Sequence, residues 1–288
     1  GASLSIDDYD SSIGTLLNSG DVSVVGDSRV TDIVNDGGTL TLEGASNDYL
    51  YVDSISNVNG GAFDFISGSL SYGSDLTIGV GELLGSTLAL TENRRYRNAG
   101  SANTTTINSG SSMSVNGGYH TLYRVINDGS TVINYDANYN SYVSVDHFTN
   151  NGAISINGGS LSAGYIRNNG AISINGGTLS ANYIRNDSSF NFNSGRLDLD
   201  NDLVIGSNGL LGGNVNLSSN RELDIYGEVT INNGARLVVA SGDAHYLSQT
   251  TNNGVVRINN GSRLSGSSFD NNERVNISEN AVLNMSNY

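Results

Sequence analysis

The sequence predicts an all-β chain: a single-stranded right-handed parallel β-helix of about 13 coils with three short strands per coil. Three observations carry that expectation. The stretch FTNNGAISINGGSLSAGY, Phe148 to Tyr165, is followed at once by IRNNGAISINGGTLSANY, Ile166 to Tyr183, which writes nearly the same eighteen residues again. A triplet of apolar, polar and apolar residues then recurs every 18 to 25 residues along the chain. Between triplets the turns are made of Asn and Gly, and the 288 residues include 37 Gly but no Pro, Cys or Trp.

In chain order, residues 1–21 read as a lead-in or partial cap carrying Ile6, Ile13, Leu16 and Leu17. A continuous β-helix is expected over 22–288. Its triplets are Val22/Val24, Leu40/Leu42, Phe63/Phe65, Leu88/Leu90, Met113/Val115, Thr131/Ile133, Ile154/Ile156, Ile172/Ile174, Phe190/Phe192, Val215/Leu217, Leu237/Val239, Val256/Ile258 and Val275/Ile277. Period-two alternation of this kind marks a strand with one buried face. Leu161, Leu179 and Leu197 repeat a second inward position and Ile166 with Ile184 a third, hence three strands per coil. Coils of this length with irregular loops suit a right-handed winding, and strict hexapeptide repeats are missing. One coil buries too few side chains to offset the entropy of ordering it. Coils must therefore stack about 4.8 Å apart, which turns equivalent residues into columns.

Each turn repeats one chemistry, as in Asn35-Asp36-Gly37, Asn127-Asp128-Gly129 and Asn168-Asn169-Gly170. Asn and Gly tolerate positive φ and so form such turns at low cost. If the first Asn points inward, its amide can donate to the equivalent amide one coil away and accept from the other side. The expected ladder is Asn35, Asn108, Asn127, Asn150, Asn168, Asn186, Asn232 and Asn252.

These Asn-Gly-punctuated coils, apolar columns and lack of Cys resemble the right-handed parallel β-helix of bacterial autotransporter passengers and related adhesins, themselves similar in shape to pectate lyases and phage tailspikes. The resemblance is one of repeat style. It implies an extracellular or bacterial cell-surface setting and adhesion or self-association. It carries no catalytic residue across, since the chain has neither Gly-His-Gly nor Lys.

Where the spacing lengthens, loop excursions are expected near 91–106 and 135–147. The first holds Arg94, Arg95, Tyr96 and Arg97, a basic cluster suited to an acidic face of another copy or to an anionic glycan. The second holds Tyr135, Tyr139 and Tyr142, which either stack on sugar rings or another protein surface or cover the edge of the coil. On the regular coils, His147, Tyr165 and Tyr183 should form one outward row, with Thr149, Arg167 and Arg185 beside it. The candidate surface-recognition residues are Arg94, Arg95, Tyr96, Arg97, His147, Tyr165, Arg167, Tyr183 and Arg185.

The remaining chemistry is sparse. A formal charge of -15, with all 13 basic residues arginine, argues against nucleic acid, and no apolar run is long enough to span a membrane. Asp198, Asp200 and Asp202 have the spacing that opens a calcium loop, but Leu203 and Gly209 stand where Gly and Glu are required. A strand with one wet face explains them, so no cofactor is expected, calcium at these aspartates being the alternative. His120, His147 and His245 share no spacing, and no carboxylate pair stands out for glycan hydrolysis. The expected function is that of a non-enzymatic structural and adhesive β-solenoid acting through self-association, as a homo-oligomer or filament through open β-helix ends or as a passenger domain. The alternative is a β-helix that binds or cleaves glycans.

Overall fold

Alternating apolar residues become strand wherever the buried face finds a neighbour, and the triplets find one another. The computed structural model describes residues 2–4, 13–98, 102–218, 220–240 and 244–286. Parallel coils stack as a right-handed-type β-solenoid, about 13 turns in all, with no helix among the described residues. The chain divides into two compact units, Gly1–Ile154 with Gly159–Ser162 and Ser155–Gly158 with Ala163–Tyr288.

The columns have the expected register. In the first unit Val22 opposes Leu40 and Leu40 opposes Phe63, while Leu88 opposes Met113 and Met113 opposes Thr131. In the second, Ile172 opposes Phe190, and Val215, Leu237, Val256 and Val275 follow one another. Leu40, Leu88, Met113, Ile172, Leu237 and Val256 are fully buried and form the apolar axis of their units.

Three expectations need correction. The lead-in is not a cap: Ala2–Leu4 pairs with Val22–Val24 and Ile13–Asn18 with Ser28–Asp36, so both are strands of the stack. Ile6 lies outside the described residues. The 91–106 excursion is mostly strand as well, because Arg94–Asn98 stacks on Gly68–Tyr72 and Thr104–Ile107 on Leu76–Ile78. Of the 135–147 excursion only 135–140 leaves the coil, since Ser141–Asn150 pairs residue for residue with Gly118–Asn127.

The asparagine ladder forms at the corner of the coils. Asn18 donates to Asn35 at 2.6 Å, Asn35 to Asn57 at 3.2 Å, and Asn127 to Asn150 at 2.7 Å. In the second unit Asn168 donates to Asn186 at 2.6 Å and Asn252 to Asn271 at 2.7 Å. Each donor amide also reaches a carbonyl one coil on: Thr39, Ala62, Ala153, Ser189 and Arg274 respectively. Asn108 and Asn232 do not stand in the column. Asn127 lies over Ile107 and Asn252 over Ile231, so those two asparagines fall one residue beyond it. They pack instead on Gly79 and Gly206.

That displacement marks a larger repeat. Residues 61–98, GAFDFISGSLSYGSDLTIGVGELLGSTLALTENRRYRN, align without a gap on residues 188–225, SSFNFNSGRLDLDNDLVIGSNGLLGGNVNLSSNRELDI. The hydrogen bonds are duplicated too. Gly79 N–H donates to Gly85 O at 2.9 Å and Gly206 N–H to Gly212 O at 3.1 Å. Asp75 accepts from Thr104 N–H, and Asp202 from Glu228 N–H, both at 2.7 Å. His120 Nδ1 accepts from Tyr96 N–H at 3.3 Å and His245 Nδ1 from Leu223 N–H at 3.2 Å. In both copies the ladder of triplets is interrupted: Ala62–Phe65 closes one four-stranded sheet and Asn214–Leu217 opens another. A guanidinium lies over the last phenylalanine each time, Arg94 over Phe65 at 4.8 Å and Arg221 over Phe192 at 5.9 Å.

Candidate functional site

Outward positions alternate with the core, so parallel stacking also builds columns on the surface. In the first unit one column reads Arg29, Tyr51, Ser71, Arg97 and Thr121. Two residues back along the strands, Tyr49 opposes Ser69 and Ser69 opposes Arg95. Tall side chains therefore stand on both sides of a strand whose serines are short and buried. The result is a trough floored by Ser69 and Ser71.

The trough has two compartments that share Arg97. One, about 430 Å³, is lined by Arg29, Tyr51, Ser71, Gly73, Asp53 and Arg97. The other, about 210 Å³, is lined by Tyr49, Ser69, Arg95, Arg97 and Tyr119. Tyr49 and Tyr51 stack with ring centroids 5.5 Å apart, and Tyr119 packs on Tyr142 at 5.6 Å. From Tyr49 to Asp53 the depression extends about 13 Å along the strands.

Its electrostatics are uneven. Arg95 is held by Glu92, through both the carboxylate and, at 3.0 Å, the backbone carbonyl. Arg29 and Arg97 are exposed, and no carboxylate lies within ion-pair distance of either among the described residues. Burial raises the Tyr51 phenol pKa, helped by Tyr49 and Asp27, while Arg97 and Arg29 oppose it. Asp27 itself accepts a hydrogen bond from Tyr49 N–H at 2.9 Å.

The residues singled out from sequence separate into three groups. Arg95 and Arg97 enter the trough, but Arg94 turns onto Phe65, and Tyr96 is an inward core residue. Burial raises the Tyr96 phenol pKa, and its hydroxyl lies 3.2 Å from Thr105 Oγ1. The Tyr96 side chain is therefore part of the core, although the residue also borders the smaller compartment. Tyr165 and Tyr183 stack nearly parallel at 5.4 Å, His147 packs near Tyr123 at 6.2 Å, and Arg185 pairs with Asp187 at 3.1 Å, while Arg167 is exposed. Arg29, Tyr49, Tyr51, Ser69 and Ser71 were missed. Two serines flanked one coil each way by Tyr and Arg are the signal that would have found them.

At the equivalent positions of the second unit the chemistry is reversed. Ser69, Ser71, Arg95 and Arg97 correspond to Arg196, Asp198, Glu222 and Asp224. Arg196 bridges to Asp224 at 2.7 Å, Asp198 at 3.3 Å and Glu222 at 3.5 Å. Burial raises the Asp224 carboxyl pKa, and Arg196 opposes it. Of the three aspartates spaced like a calcium loop, Asp198 is thus paired with an arginine and Asp202 caps a backbone N–H. Among the described residues no group of three or more His, Asp or Glu side chains is placed to hold a metal ion. No family model matches the chain, and neither a curated protein nor a solved structure does.

Proposed function

We propose that the protein is an extracellular adhesive β-solenoid of the bacterial cell surface, which acts by binding rather than by chemistry and recognises glycan on the outer face of its first unit. The observation that carries this reading is the trough itself. It is long enough for two or three sugar rings, floored by serine, and walled by tyrosine on one side and arginine on the other. Such a surface offers aromatic carbon to a sugar's C–H face and many donors to its oxygens. The test is binding of oligosaccharides to the purified chain by calorimetry, with Tyr49→Ala and Tyr51→Ala combined. Binding that persists unchanged in this variant removes the trough from the reading.

Self-association is a second reading, and one specific observation favours it. Duplicated positions carry Arg95 and Arg97 beside one Glu92 in one unit, and Asp198, Glu222 and Asp224 around one Arg196 in the other, so an excess of positive charge in the first faces an excess of negative charge in the second when copies of the chain meet. Sedimentation at low and high salt checks it. A monomer at every concentration in low salt rejects it.

A further inference from the structure

Resting on the glycan-binding reading, we infer that the trough selects an acidic saccharide, whose carboxylate or sulfate sits between Arg29 and Arg97 above Tyr51 and Ser71. The four residues occupy one outward column in four successive coils, and both arginines line the same compartment. Stacking at about 4.8 Å sets their Cα atoms about 14 Å apart, with Tyr51 and Ser71 between them. Arg29 and Arg97 both border this one compartment, and two guanidinium groups lining one depression can bind a planar or tetrahedral anion.

The surroundings narrow the ligand. The protein carries a formal charge of -15, which repels a densely charged polymer such as a nucleic acid, with a charge every ~1.7 Å of axis. Asp53 lines the same compartment beside Gly73 and disfavours a second anion there. A polymer with one charged group per two rings meets both conditions: its anion sits on the arginine pair and its uncharged rings lie against Tyr49 and Tyr51. The second unit shows that this chemistry is not imposed by the backbone. On the duplicated strands, Arg196 and Asp198 replace the serine floor and acidic residues replace the arginines.

The experiment uses the full chain with a hyaluronan tetrasaccharide (one carboxylate per two rings), a kappa-carrageenan tetrasaccharide (one sulfate per two rings, no carboxylate) and uncharged maltotetraose, by calorimetry at low salt. The carboxylate and sulfate probes distinguish the two anions. At least one acidic probe should bind ten-fold or more tighter than maltotetraose. That preference should vanish in the double variant Arg29→Ala with Arg97→Ala. It should also vanish in Ser71→Asp, which sets a carboxylate beside Arg97 at the place of Asp198 in the second unit, provided that the variant keeps the parent's thermal midpoint. Arg185→Ala, in the other unit, should keep it. Equal binding of all three probes, lost on Tyr49→Ala with Tyr51→Ala, overturns the acidic preference and leaves the glycan reading standing. Absence of binding by every probe overturns both.

Discussion

The amide of Asn35 offers a direct test of what holds the coil corners. It is completely buried and makes three side-chain hydrogen bonds: it accepts from Asn18 at 2.6 Å and donates to Asn57 at 3.2 Å and to the Ala62 carbonyl. Asn35→Ala deletes all three, at about 1 kcal/mol each, so the first unit should lose about 3 kcal/mol. Asn127 is equally buried but makes two such bonds, to Asn150 and Ala153, and its Oδ1 has no partner among the described residues, Ile107 rather than an asparagine lying beneath it. Asn127→Ala should cost less, about 2 kcal/mol or under, because it also removes an unpaired buried oxygen. Asn108→Ala, outside the column, should cost under about 1 kcal/mol. Stacked coils need not unfold in one step. The assay is therefore hydrogen exchange of the strands Ser28–Asp36 and Gly118–Asn127 in each variant, alongside the thermal midpoint. A ranking in which Asn108→Ala equals or exceeds Asn35→Ala would refute the ladder as a source of stability.

Other consequences are equally concrete. Burial lowers the His120 pKa to about 4, and its Nδ1 faces the Tyr96 N–H donor, so the folded chain resists protonating it. An unfolded histidine titrates near 6.5, so this stability is complete above that pH and is lost as pH falls toward about 4, in all about 3 kcal/mol. His120→Gln should flatten the thermal midpoint across that window, and an unaltered slope would dismiss the role. A Cβ on Gly152 would overlap the Gly129 carbonyl oxygen of the coil below, whereas Gly234 has open space around it and only a positive φ. Gly152→Ala should therefore destabilise by at least about 2 kcal/mol and Gly234→Ala by about 1, as read from denaturant midpoints. Tyr96→Phe removes the hydroxyl near Thr105 and should cost about 1 kcal/mol without altering oligosaccharide affinity. A fall in affinity would return Tyr96 to the recognition surface.

Much of this is legible in the sequence. The near-copy at residues 148–183 announced parallel stacking, and the spacing of Leu237, Val256 and Val275 sufficed to name the residues that lie on one another. The asparagine positions were readable for the same reason, with Asn108 and Asn232 lost to a one-residue offset that the local turn motif conceals. The recognition face was only half legible. Arg94, Arg95, Tyr96 and Arg97 are consecutive, yet strand alternation sends Arg95 and Arg97 outward and puts Arg94 and Tyr96 on the other side, where Tyr96 enters the core and Arg94 covers Phe65 at a sheet end.

By itself, then, the order of residues determined the architecture: identical side chains at regular intervals can satisfy burial and amide pairing only by lying above one another. What the tertiary structure alone decided is which unlike residues become neighbours across coils of unequal length. Arg29, Tyr51, Ser71 and Arg97 are separated by 22, 20 and 26 positions, intervals set by the turns, and no local pattern reports that they share a column. The trough comes from that alignment: short side chains happen to fall in one coil where long ones fall in the coils on either side.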